Sequence, residues 1–328
     1  LARSKIIADC FKENHFVNGQ RTYYTYTGVT QKDVPISVIS SGMGPLAVST
    51  VAEEGSQIGM KNLIRVGTGA ALLTDYRPGR IIIATGCVRG DGNSYEYVPA
   101  EYPAVADPFV TKALILAAKE YGEDPIVGLY RAHDSYYRET STAMIDTYER
   151  MKPWVDAGVK MVENESATLF TVGPQLGLRC GSICVSHTSM VEDTIYYTGP
   201  DSKIAYPEAF EEGFMEQRIL LCAKIAIRAA EILDEIDIPE SVNSIGTESF
   251  RLCTSVRKLT IPRQINIGKG AFYGLASLRE LNVHKGFTID NYIFDDFALN
   301  ALLKDNFIPL MEMKSNFENQ MLNKQIMI

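Results

Sequence analysis

Short apolar runs alternate with longer segments of helical periodicity along most of the chain. Apolar residues are clustered, as in buried strands, in segments 36–40, 63–66, 81–84 and 180–185. They recur at helical spacing in segments 45–58, 108–121, 151–157 and 209–233. Strands that alternate with helices are typical of α/β domains, in which helices cover the faces of a sheet. The pattern therefore predicts an α/β domain over residues 1–237.

The pattern changes after residue 237, where the sequence begins to repeat itself. The Ile-Pro pair at 238 recurs at 261, and later positions recur at a spacing of about 22 residues, namely Ile245 with Ile267, Phe250 with Phe272, Leu259 with Leu281, and a weaker third copy at Phe294. This period and the Ile-Pro, Ile-Gly and Ala-Phe positions resemble the leucine-rich repeats of bacterial and protist surface antigens. We therefore predict a second region, 238–328, made of a leucine-rich-repeat extension and a C-terminal segment.

The repeats have two functional interpretations. Each repeat buries its apolar edge only against its neighbours, so about three copies are needed for a stable stack. The region either presents a surface to a protein partner or is a structural extension that covers part of the first domain or its dimer. The sequence leaves both interpretations open.

The composition limits the classes of partner. A net charge of −8 argues against nucleic acid or an anionic membrane as the main partner. No apolar run reaches the ~20 residues that span a bilayer, so no membrane association is expected. The six cysteines are scattered, without the spacing of a metal site. We interpret them as buried free thiols, which predicts a reducing compartment, the cytoplasm.

A candidate anion site lies at the end of one predicted strand, where Arg65 precedes Gly67, Thr68 and Gly69. An arginine, a hydroxyl and close backbone N–H groups are the groups that bind a phosphate dianion. Glycine-rich turns after strands are also common as plain structural turns. The segment alone therefore leaves a phosphate site and a structural turn as alternatives.

Three further segments give this site a context. The stretch 84–107 contains an Arg-x-Asp-Gly turn followed by Pro-Ala-Glu-Tyr-Pro-Ala-Val-Ala-Asp. It resembles the corresponding stretch of uridine phosphorylases of the nucleoside phosphorylase-I family. The segment 41–44, Ser-Gly-Met-Gly, resembles that family's glycine-rich loop, and the segment 163–169 resembles its Glu-Met-Glu-Ser-Ala motif. The segments occur in the family's order across residues 1–233.

The resemblance implies both a fold and a reaction. The implied fold is the nucleoside-phosphorylase-type three-layer α/β fold, with a mixed twisted sheet and flanking helices, to which the short leucine-rich-repeat module is attached. The implied reaction is phosphorolysis, in which inorganic phosphate displaces the base from C1′ of a ribonucleoside. Inorganic phosphate is the co-substrate, and neither a cofactor nor a metal is expected. Catalysis of this kind rests on positioning and electrostatics.

The resemblance assigns the phosphate site to four residues, Arg3, Arg21, Arg65 and Thr68. Arg3 matches an arginine of the family's N-terminal phosphate turn, and Arg65 and Thr68 belong to the Gly-Thr-Gly turn. Arg21 matches an arginine that family members donate to the neighbouring subunit, which implies a homodimer with shared active sites. Arg65, Thr68 and His187 are the predicted catalytic residues. His187 either hydrogen-bonds or protonates the leaving base, or is a histidine satisfied at a strand end.

The resemblance assigns ribose binding to the segment 163–165. Glu165 matches the glutamate that accepts hydrogen bonds from the 2′- and 3′-hydroxyls. Glu163 alternates with it along an extended segment, so both carboxylates are expected on one side. Asn164 replaces a methionine that packs on the sugar in the family. The alternative for the carboxylates is stabilisation of the helix that begins near residue 166.

The base pocket departs from the family. The predicted base contacts are Gly69, Ala70, Tyr136, Thr140, Thr142 and Met190. Thr140 and Thr142 stand where uridine phosphorylases have a glutamine and an arginine, and threonine lacks the bidentate contacts of those side chains. Met190 stands at the position of a further arginine. The expected substrate is uridine or a related pyrimidine nucleoside. The alternatives are a purine or broad-range phosphorylase, and a catalytically weakened nucleoside- or phosphate-binding interaction protein.

Overall fold

The computed structural model describes residues 2–73, 77–136, 147–191, 212–253, 256–283 and 293–295. The chain divides into two compact units, Leu1–Glu231 and Ile232–Ile328. The division falls a few residues before the domain boundary expected at residue 237, and that boundary stays a prediction.

The first unit opens with a helix and a small antiparallel sheet. Helix α1 spans Ala2–Ala8, and the three strands, paired in sequence order, are β1 (Glu13–Asn18), β2 (Thr25–Val29) and β3 (Pro35–Ile39). Tyr26 of β2 packs in a small apolar cluster with Ala8, Phe11 and Ile227. Helix α2 (Pro45–Gln57) follows this sheet.

The other strands of this unit form a mixed sheet that closes on itself. They are β4 (Asn62–Ala71), β5 (Ile81–Gly90), β6 (Ala104–Val105), β7 (Ile126–His133), β8 (Met161–Glu163) and β9 (Arg179–Ser189). Their order is β6-β5-β7-β8-β4-β9, and β5 also pairs with β9. Strand β5 is parallel to β7, β7 to β8 and β4 to β9, whereas β4–β8 and β5–β9 are antiparallel. Side chains on the inner side of this closed sheet are shielded from water.

Helices cover the mixed sheet, as the alternating pattern predicts. They are α3 (Asn93–Tyr97), α4 (Pro108–Glu120), α5 (Thr147–Asp156), α6 (Ser166–Gln175) and α7 (Phe214–Asp234). Helix α4 begins with Pro108 in its first turn, where the Asp107 carboxylate accepts hydrogen bonds from two backbone N–H groups. Both are start signals that can be read from sequence. The predicted α/β fold with a mixed sheet and flanking helices is confirmed.

Helix α7 differs from its prediction at the N-terminal end. The apolar spacing predicts a start at residue 209, but the helix begins at Phe214, after a turn at residues 212–213. Gly213 has a φ of +83°, which lies in the left-handed region and interrupts a right-handed helix. Residues 209–211 lie outside the described residues. Apolar periodicity alone does not reveal such an interruption.

The second unit consists of parallel strand ladders. Its strands are β10 (Glu235–Asp237), β11 (Ser244–Ile245), β12 (Lys258–Thr260), β13 (Asn266–Ile267) and β14 (Glu280–Asn282). Strands β10, β12 and β14 pair in that order, and β11 pairs with β13. Lys258 lies opposite Glu280, and Ile245 lies opposite Ile267. The register therefore reproduces the predicted period of about 22 residues.

A stack of aromatic rings runs through the repeats. Phe250 lies 5.5 Å from Phe272, and Phe272 lies 5.2 Å from Phe294, between ring centroids. Phe272 and Phe294 are buried, together with Leu259, Leu275 and other apolar repeat positions. The predicted alignment of the copies, including the third at Phe294, is confirmed by these contacts.

The cysteines and the helices bear on the expectations drawn from composition. All six cysteines are free thiols: Cys87, Cys180, Cys184 and Cys222 are buried, and Cys10 and Cys253 are partly buried. Within the described ranges, no helix has both the length and the apolar character needed to cross a bilayer.

Candidate active site

Arg65 lies on β4, with its guanidinium folded forward along the strand over Gly67. Residues 65, 67 and 69 share one face of the strand, because successive side chains alternate. A Cβ atom added at Gly67 would lie 2.3 Å from Nη1 of Arg65 and 2.6 Å from its Cζ. The missing side chain at Gly67 therefore makes room for the guanidinium. Residues 67–69 belong to β4 itself and form no turn, so the predicted turn after the strand is wrong, and Arg65 and Gly67 act as a structural pair within the strand.

The Arg65 guanidinium is surrounded by three acceptors. Its Nη2 donates to the Glu165 carboxylate, its Nε lies 3.5 Å from Oε2 of Glu163, and its Nη1 donates to Sγ of Cys184 at 2.6 Å. Burial by itself lowers the pKa of Arg65, but the facing carboxylates of Glu165 and Glu163 raise it well above its ordinary value. Arg65 is therefore a fixed cation whose plane is set by its neighbours.

Glu165 joins this cluster to the glycine loop, defined as residues 41–44. Its Oε1 accepts a hydrogen bond from the backbone N–H of Gly44 at 2.7 Å. Burial raises the pKa of Glu165, but the Arg65 guanidinium and the Gly44 N–H outweigh burial and hold the pKa below its usual value. An ionised carboxylate accepts hydrogen bonds only, which suits hydroxyl donors. Glu165 is therefore an ionised hydrogen-bond acceptor beside Arg65.

The glycine loop needs its glycines for conformational reasons. Gly42 and Gly44 have φ values of +81° and +96°, in the left-handed region that residues with a Cβ rarely adopt. Helix α2 begins directly afterwards at Pro45. The turn of the backbone at Gly44 is what points its N–H toward Glu165.

Glu163, at the end of β8, is occupied by the backbone that follows it. Its oxygens accept hydrogen bonds from the N–H groups of Glu165 at 2.9 Å and Ser166 at 3.0 Å. The Cys87 thiol donates to its Oε1 at 3.7 Å. Burial raises the pKa of Glu163 above its usual value. The carboxylate therefore shapes the turn that presents Glu165.

Thr68 and His187 lie on the neighbouring strands β4 and β9. Thr68 is half-buried and pairs with Val185. The register then shifts, because Gly69 pairs with Ser186 and Ala70 with Thr188. His187 is thus the extra residue of a β-bulge, a feature that re-aims side chains and is frequent beside active sites.

His187 is a neutral imidazole at neutral pH. Burial, and then the charge of Arg3, lower its pKa to about 4. Its Nδ1 lies 3.2 Å from Oγ1 of Thr188. Because the charge of Arg3 on α1 acts on His187, the fold brings these two predicted site residues, Arg3 and His187, near each other.

Arg21 occupies a different kind of position. It lies on an exposed turn between β1 and β2, with a left-handed φ of +55°. Within the described part of the chain, no hydrogen bond or ion pair joins Arg21 to Arg65 or Thr68. Of the four predicted phosphate residues, Arg65 and Thr68 share β4 but lie on opposite faces of it, because they are three positions apart in a regular strand. Arg3 lies near His187, and Arg21 lies on its separate exposed turn.

The predicted sugar and base contacts are distributed along the ends of the strands. The Asn164 amide donates to the backbone carbonyl of His133, which fixes the end of β7. Tyr136 is exposed. Gly69 is closely approached by β8, since an added Cβ would lie 2.7 Å from the Val162 carbonyl. Ala70 is buried on β4 and pairs with that same residue of β8.

Met190, the last predicted base contact that the structure describes, packs at the end of β9 against an apolar cluster. The cluster contains Leu72, Met151, Val159 and Val162. The backbone N–H of Met190 donates to the Ala71 carbonyl at 2.9 Å. Thr140 and Thr142 lie outside the described residues.

The Arg-x-Asp-Gly turn, which contributes strongly to the sequence resemblance, holds a loop together. Arg89 lies over the Tyr95 ring at 4.3 Å and donates to backbone carbonyls of residues 94, 98, 99 and 102. Buried Asp91 accepts hydrogen bonds from Ser94 and from the Thr168 hydroxyl of α6. The segment therefore contributes to the site by fixing its surroundings.

Cys184 also contacts Arg65, although nothing in the sequence pattern points to it. It lies within an apolar strand and has no neighbouring pattern that distinguishes it from a packing residue. Its contact with Arg65 exists because β4 and β9 pair in parallel register. As for metals, the described residues contain no group of three or more His, Cys, Asp or Glu side chains arranged to hold an ion.

Family comparisons agree on both regions of the chain. The model described as the phosphorylase superfamily matches residues 2–216. The model described as the BspA type leucine rich repeat region matches residues 224–302, with six copies. The first match covers most of the first unit.

Curated relatives include phosphorylases of two nucleoside classes. Uridine phosphorylases from Treponema pallidum and Haemophilus influenzae are 36% and 37% identical, over 56% of this chain and 72% and 75% of the relatives. A guanosine phosphorylase from Halorubrum lacusprofundi is 31% identical, over 62% of this chain and 80% of the relative. The solved uridine phosphorylase from Vibrio fischeri ES114 is similar with a TM-score of 0.60 and 25% identity, covering 69% of this chain and 86% of that chain.

Proposed function

Because the chain belongs to the phosphorylase superfamily, we propose that it is a nucleoside phosphorylase, a pentosyltransferase. Inorganic phosphate displaces the base from C1′ of a ribonucleoside, and the products are the free base and ribose 1-phosphate. The uridine phosphorylases among its relatives support uridine or a related pyrimidine nucleoside as the substrate. The exchange of the two bonds at C1′ needs phosphate as co-substrate and no cofactor.

The observation that supports this proposal is the buried pair of Arg65 and Glu165. A guanidinium offers planar paired donors that match phosphate oxygens. A carboxylate kept ionised accepts hydrogen bonds from the vicinal hydroxyls of ribose. The two groups are in contact, so ligands bound to them lie side by side. Attack of phosphate on C1′ requires that proximity.

In this proposal Arg3, Arg65 and the backbone of the Gly67–Gly69 segment that carries Thr68 form the phosphate pocket within one chain. Arg21, on its exposed turn, completes the pocket of a second copy, so the active unit is a homodimer with shared sites. Several guanidinium groups around one point repel each other unless an anion lies between them. A phosphate dianion supplies that charge.

The transition state resembles an oxocarbenium ion. The bound phosphate stabilises positive charge on the sugar, and fixed donors disperse negative charge on the leaving base. We assign Glu163 and Asn164 to positioning, because their polar atoms hold the turn before α6 and the end of β7. Glu165 then remains as the ribose ligand.

His187 acts on the leaving base through a hydrogen bond. Since its pKa is about 4, it carries no proton to give up as an imidazolium at neutral pH. A neutral imidazole still has one donor and one acceptor nitrogen. The bulge in β9 directs this side chain away from the regular ladder.

A purine nucleoside is the second candidate substrate. The guanosine phosphorylase is matched over a larger share of its length than the two uridine phosphorylases. Threonines at 140 and 142 also lack the amide and guanidinium that read uracil in the family. The guanosine phosphorylase among the relatives and the two threonines support a purine or broad-range enzyme as the alternative to the pyrimidine enzyme proposed first.

The test is base release from uridine, thymidine, inosine, guanosine and adenosine, each with and without inorganic phosphate, followed by chromatography of the base. We expect phosphate-dependent release from at least one nucleoside, which also identifies the base. Release that is independent of phosphate would contradict phosphorolysis. No release from any nucleoside, with phosphate or nucleoside binding retained, would favour the weakened binding protein.

The shared site has its own test. Arg21→Ala and Arg65→Ala are expected to be inactive when each is purified alone. After the two are mixed under conditions of subunit exchange, heterodimers contain one intact site, and about a quarter of wild-type activity returns. Absence of recovery, despite exchange shown by mass spectrometry of labelled chains, would contradict the sharing of Arg21.

We place the reaction in nucleoside salvage in the cytoplasm, which the six free thiols support. The repeats are proposed to offer a surface to a protein partner. A chain that ends before residue 238, if it stays active but no longer binds that partner, would agree with this role. Equal loss of activity and stability would favour the structural role.

A further inference from the structure

A ring of polar contacts connects the two sides of the candidate site. Arg65 contacts Glu165 and Glu163, and Glu163 accepts the N–H of Ser166. The Ser166 hydroxyl donates to the Ser182 hydroxyl at 3.0 Å. Oγ of Ser182 lies 3.8 Å from Sγ of Cys184, which accepts a hydrogen bond from Nη1 of Arg65. The ring returns to the guanidinium from which it started.

The position of Cys184 follows from strand register. Cys184 lies directly opposite Gly67 on the neighbouring strand. Because Gly67 has no side chain, the guanidinium lies against β9 at this point. Ser182, Cys184 and Ser186 share one face of β9 and are completely buried. Among the described residues of β9, Cys184 alone has a hydrogen bond with the Arg65 side chain, through its sulfur.

We propose that Cys184 is a positioning residue for phosphate binding, because its sulfur accepts one N–H of Arg65 and thereby sets the plane of the guanidinium. The five donors of arginine are fixed in a planar fork, so one fixed N–H orients the others. Nη2 then faces Glu165 and the phosphate. This inference rests on the proposed phosphorolysis and adds a residue to it.

The thiol is suited to this role because it is neutral. Burial raises the pKa of Cys184, so at neutral pH the sulfur accepts a hydrogen bond without adding a further anion beside Arg65 that competes with phosphate. Cys180 on the same strand provides a contrast. It is buried, packs beside Gly173 and contacts the Leu178 carbonyl, but has no described contact with Arg65.

The test compares Cys184→Ala, Cys184→Ser and the matched control Cys180→Ala. Phosphate KM, nucleoside KM, kcat and the rise in unfolding temperature on adding inorganic phosphate are measured for each. Cys184→Ala should raise phosphate KM about tenfold, as expected for loss of a hydrogen bond to a charged group. Nucleoside KM should change less, and the phosphate-induced stabilisation should decrease.

Rescue separates positioning from packing. In Cys184→Ser the hydroxyl accepts the same N–H, so phosphate KM should stay within about twofold of wild type. Cys180→Ala should lose stability while phosphate KM stays unchanged. If Cys184→Ala does not fold, Cys184→Val, which fills the space without an acceptor, takes its place.

Three results would overturn the inference while leaving phosphorolysis intact. They are an active Cys184→Ala with unchanged phosphate KM, a Cys184→Ser as impaired as the alanine variant, or a Cys180→Ala with the same rise in phosphate KM. Failure of the wild type to release any base in the presence of phosphate is a different result. It would reject the proposed function, and the role of Cys184 with it.

Discussion

The polar cluster of the candidate site, around Arg65, and the aromatic stack of the repeats are both buried, but they are assembled in opposite ways. Arg65 contacts residues 100 and 119 positions away, at Glu165 and Cys184, and Gly44 reaches 121 positions to Glu165. In the repeats, each aromatic ring contacts the ring one period away. Contacts in the first cluster are unique and polar, whereas those in the second are periodic and apolar.

This difference determines how each region responds to a change. A buried ion pair that loses one partner leaves an uncompensated charge, which costs far more than the pair contributes. A repeat stack loses apolar contact and gains a cavity, and the damage is confined to neighbouring copies. We therefore expect changes in the cluster to affect function and stability together, and changes in the stack to affect stability alone.

The largest expected effect is that of Arg65→Ala. Loss of the proposed phosphate donor should lower kcat/KM by about 10³-fold, and leaving Glu163 and Glu165 unpaired should cost about 3–5 kcal/mol of the free energy of unfolding. Nucleoside turnover and chemical denaturation measure the two effects.

Arg251→Ala is the matched control, because it also breaks an arginine–glutamate pair, with Glu248 at 2.8 Å. Both partners are half exposed, so the change should be about 0–1 kcal/mol with normal activity. A full loss of activity in Arg251→Ala, or none in Arg65→Ala, would remove the contrast between the two regions.

The next largest effect is that of Phe272→Ala in the repeats. The ring is completely buried between Phe250 and Phe294, so its removal should cost about 3–5 kcal/mol. Amide hydrogen exchange should rise in β12 and β14 and stay unchanged in β4 and β9. If the amide groups of β4 lost as much protection from exchange as those of β12 and β14, the two units would unfold together, contrary to this expectation.

A smaller effect concerns pH. Folded His187 stays neutral down to about pH 4, whereas the unfolded chain gains the proton below about pH 6.5. Its stabilising contribution is complete above pH 6.5 and is lost as the pH falls to 4, by up to about 3 kcal/mol. Denaturation of wild type and His187→Asn between pH 4 and 7.5 measures this loss. His15→Asn, the same exchange at an exposed position of β1, is the matched control for the substitution itself.

In the repeat unit, Asp234 should have the opposite effect, because it destabilises the fold as the pH rises. Burial raises the pKa of Asp234 to about 7 despite the opposing charge of Arg257. The contribution of the protonated Asp234 to the free energy of unfolding is complete below about pH 3.8 and is lost as the pH rises through 7. Asp234→Asn should therefore be more stable than wild type at pH 8 and not at pH 4. The same stability difference at both pH values would contradict this assignment.

The smallest effect is expected from Leu252→Gly. Leu252 is exposed with a φ of +60°, and the equivalent position one period later is Gly274, with a φ of +78°. Glycine removes the left-handed strain but adds freedom to the unfolded chain, so the net gain should be roughly 0.5 kcal/mol. Chemical denaturation measures it, and a loss of stability would mean that the Leu252 side chain contributes packing that outweighs the strain.

Local pattern in the sequence determined the fold class, most helices and strands, and the repeat period. The cap at Asp107 and the recurrence of Phe250 at Phe272 are determined by neighbouring residues or by repetition. The start of α7 at Phe214 was missed, because the conformation of Gly213 is a backbone property that apolar spacing does not encode.

The sequence also identified Arg65, Thr68 and Glu165 as site candidates, from a glycine-rich segment and a family resemblance. Three contacts were decided only by the tertiary structure. The Gly44 N–H donates to Glu165, Glu163 accepts backbone N–H groups of the turn before α6, and Cys184 accepts a hydrogen bond from Arg65. Hydrogen bonds between residues about a hundred positions apart depend on strand register and closure of the sheet. Strand register and sheet closure are not encoded in any local stretch of sequence. The members of such a buried polar cluster can therefore be identified only from the folded structure.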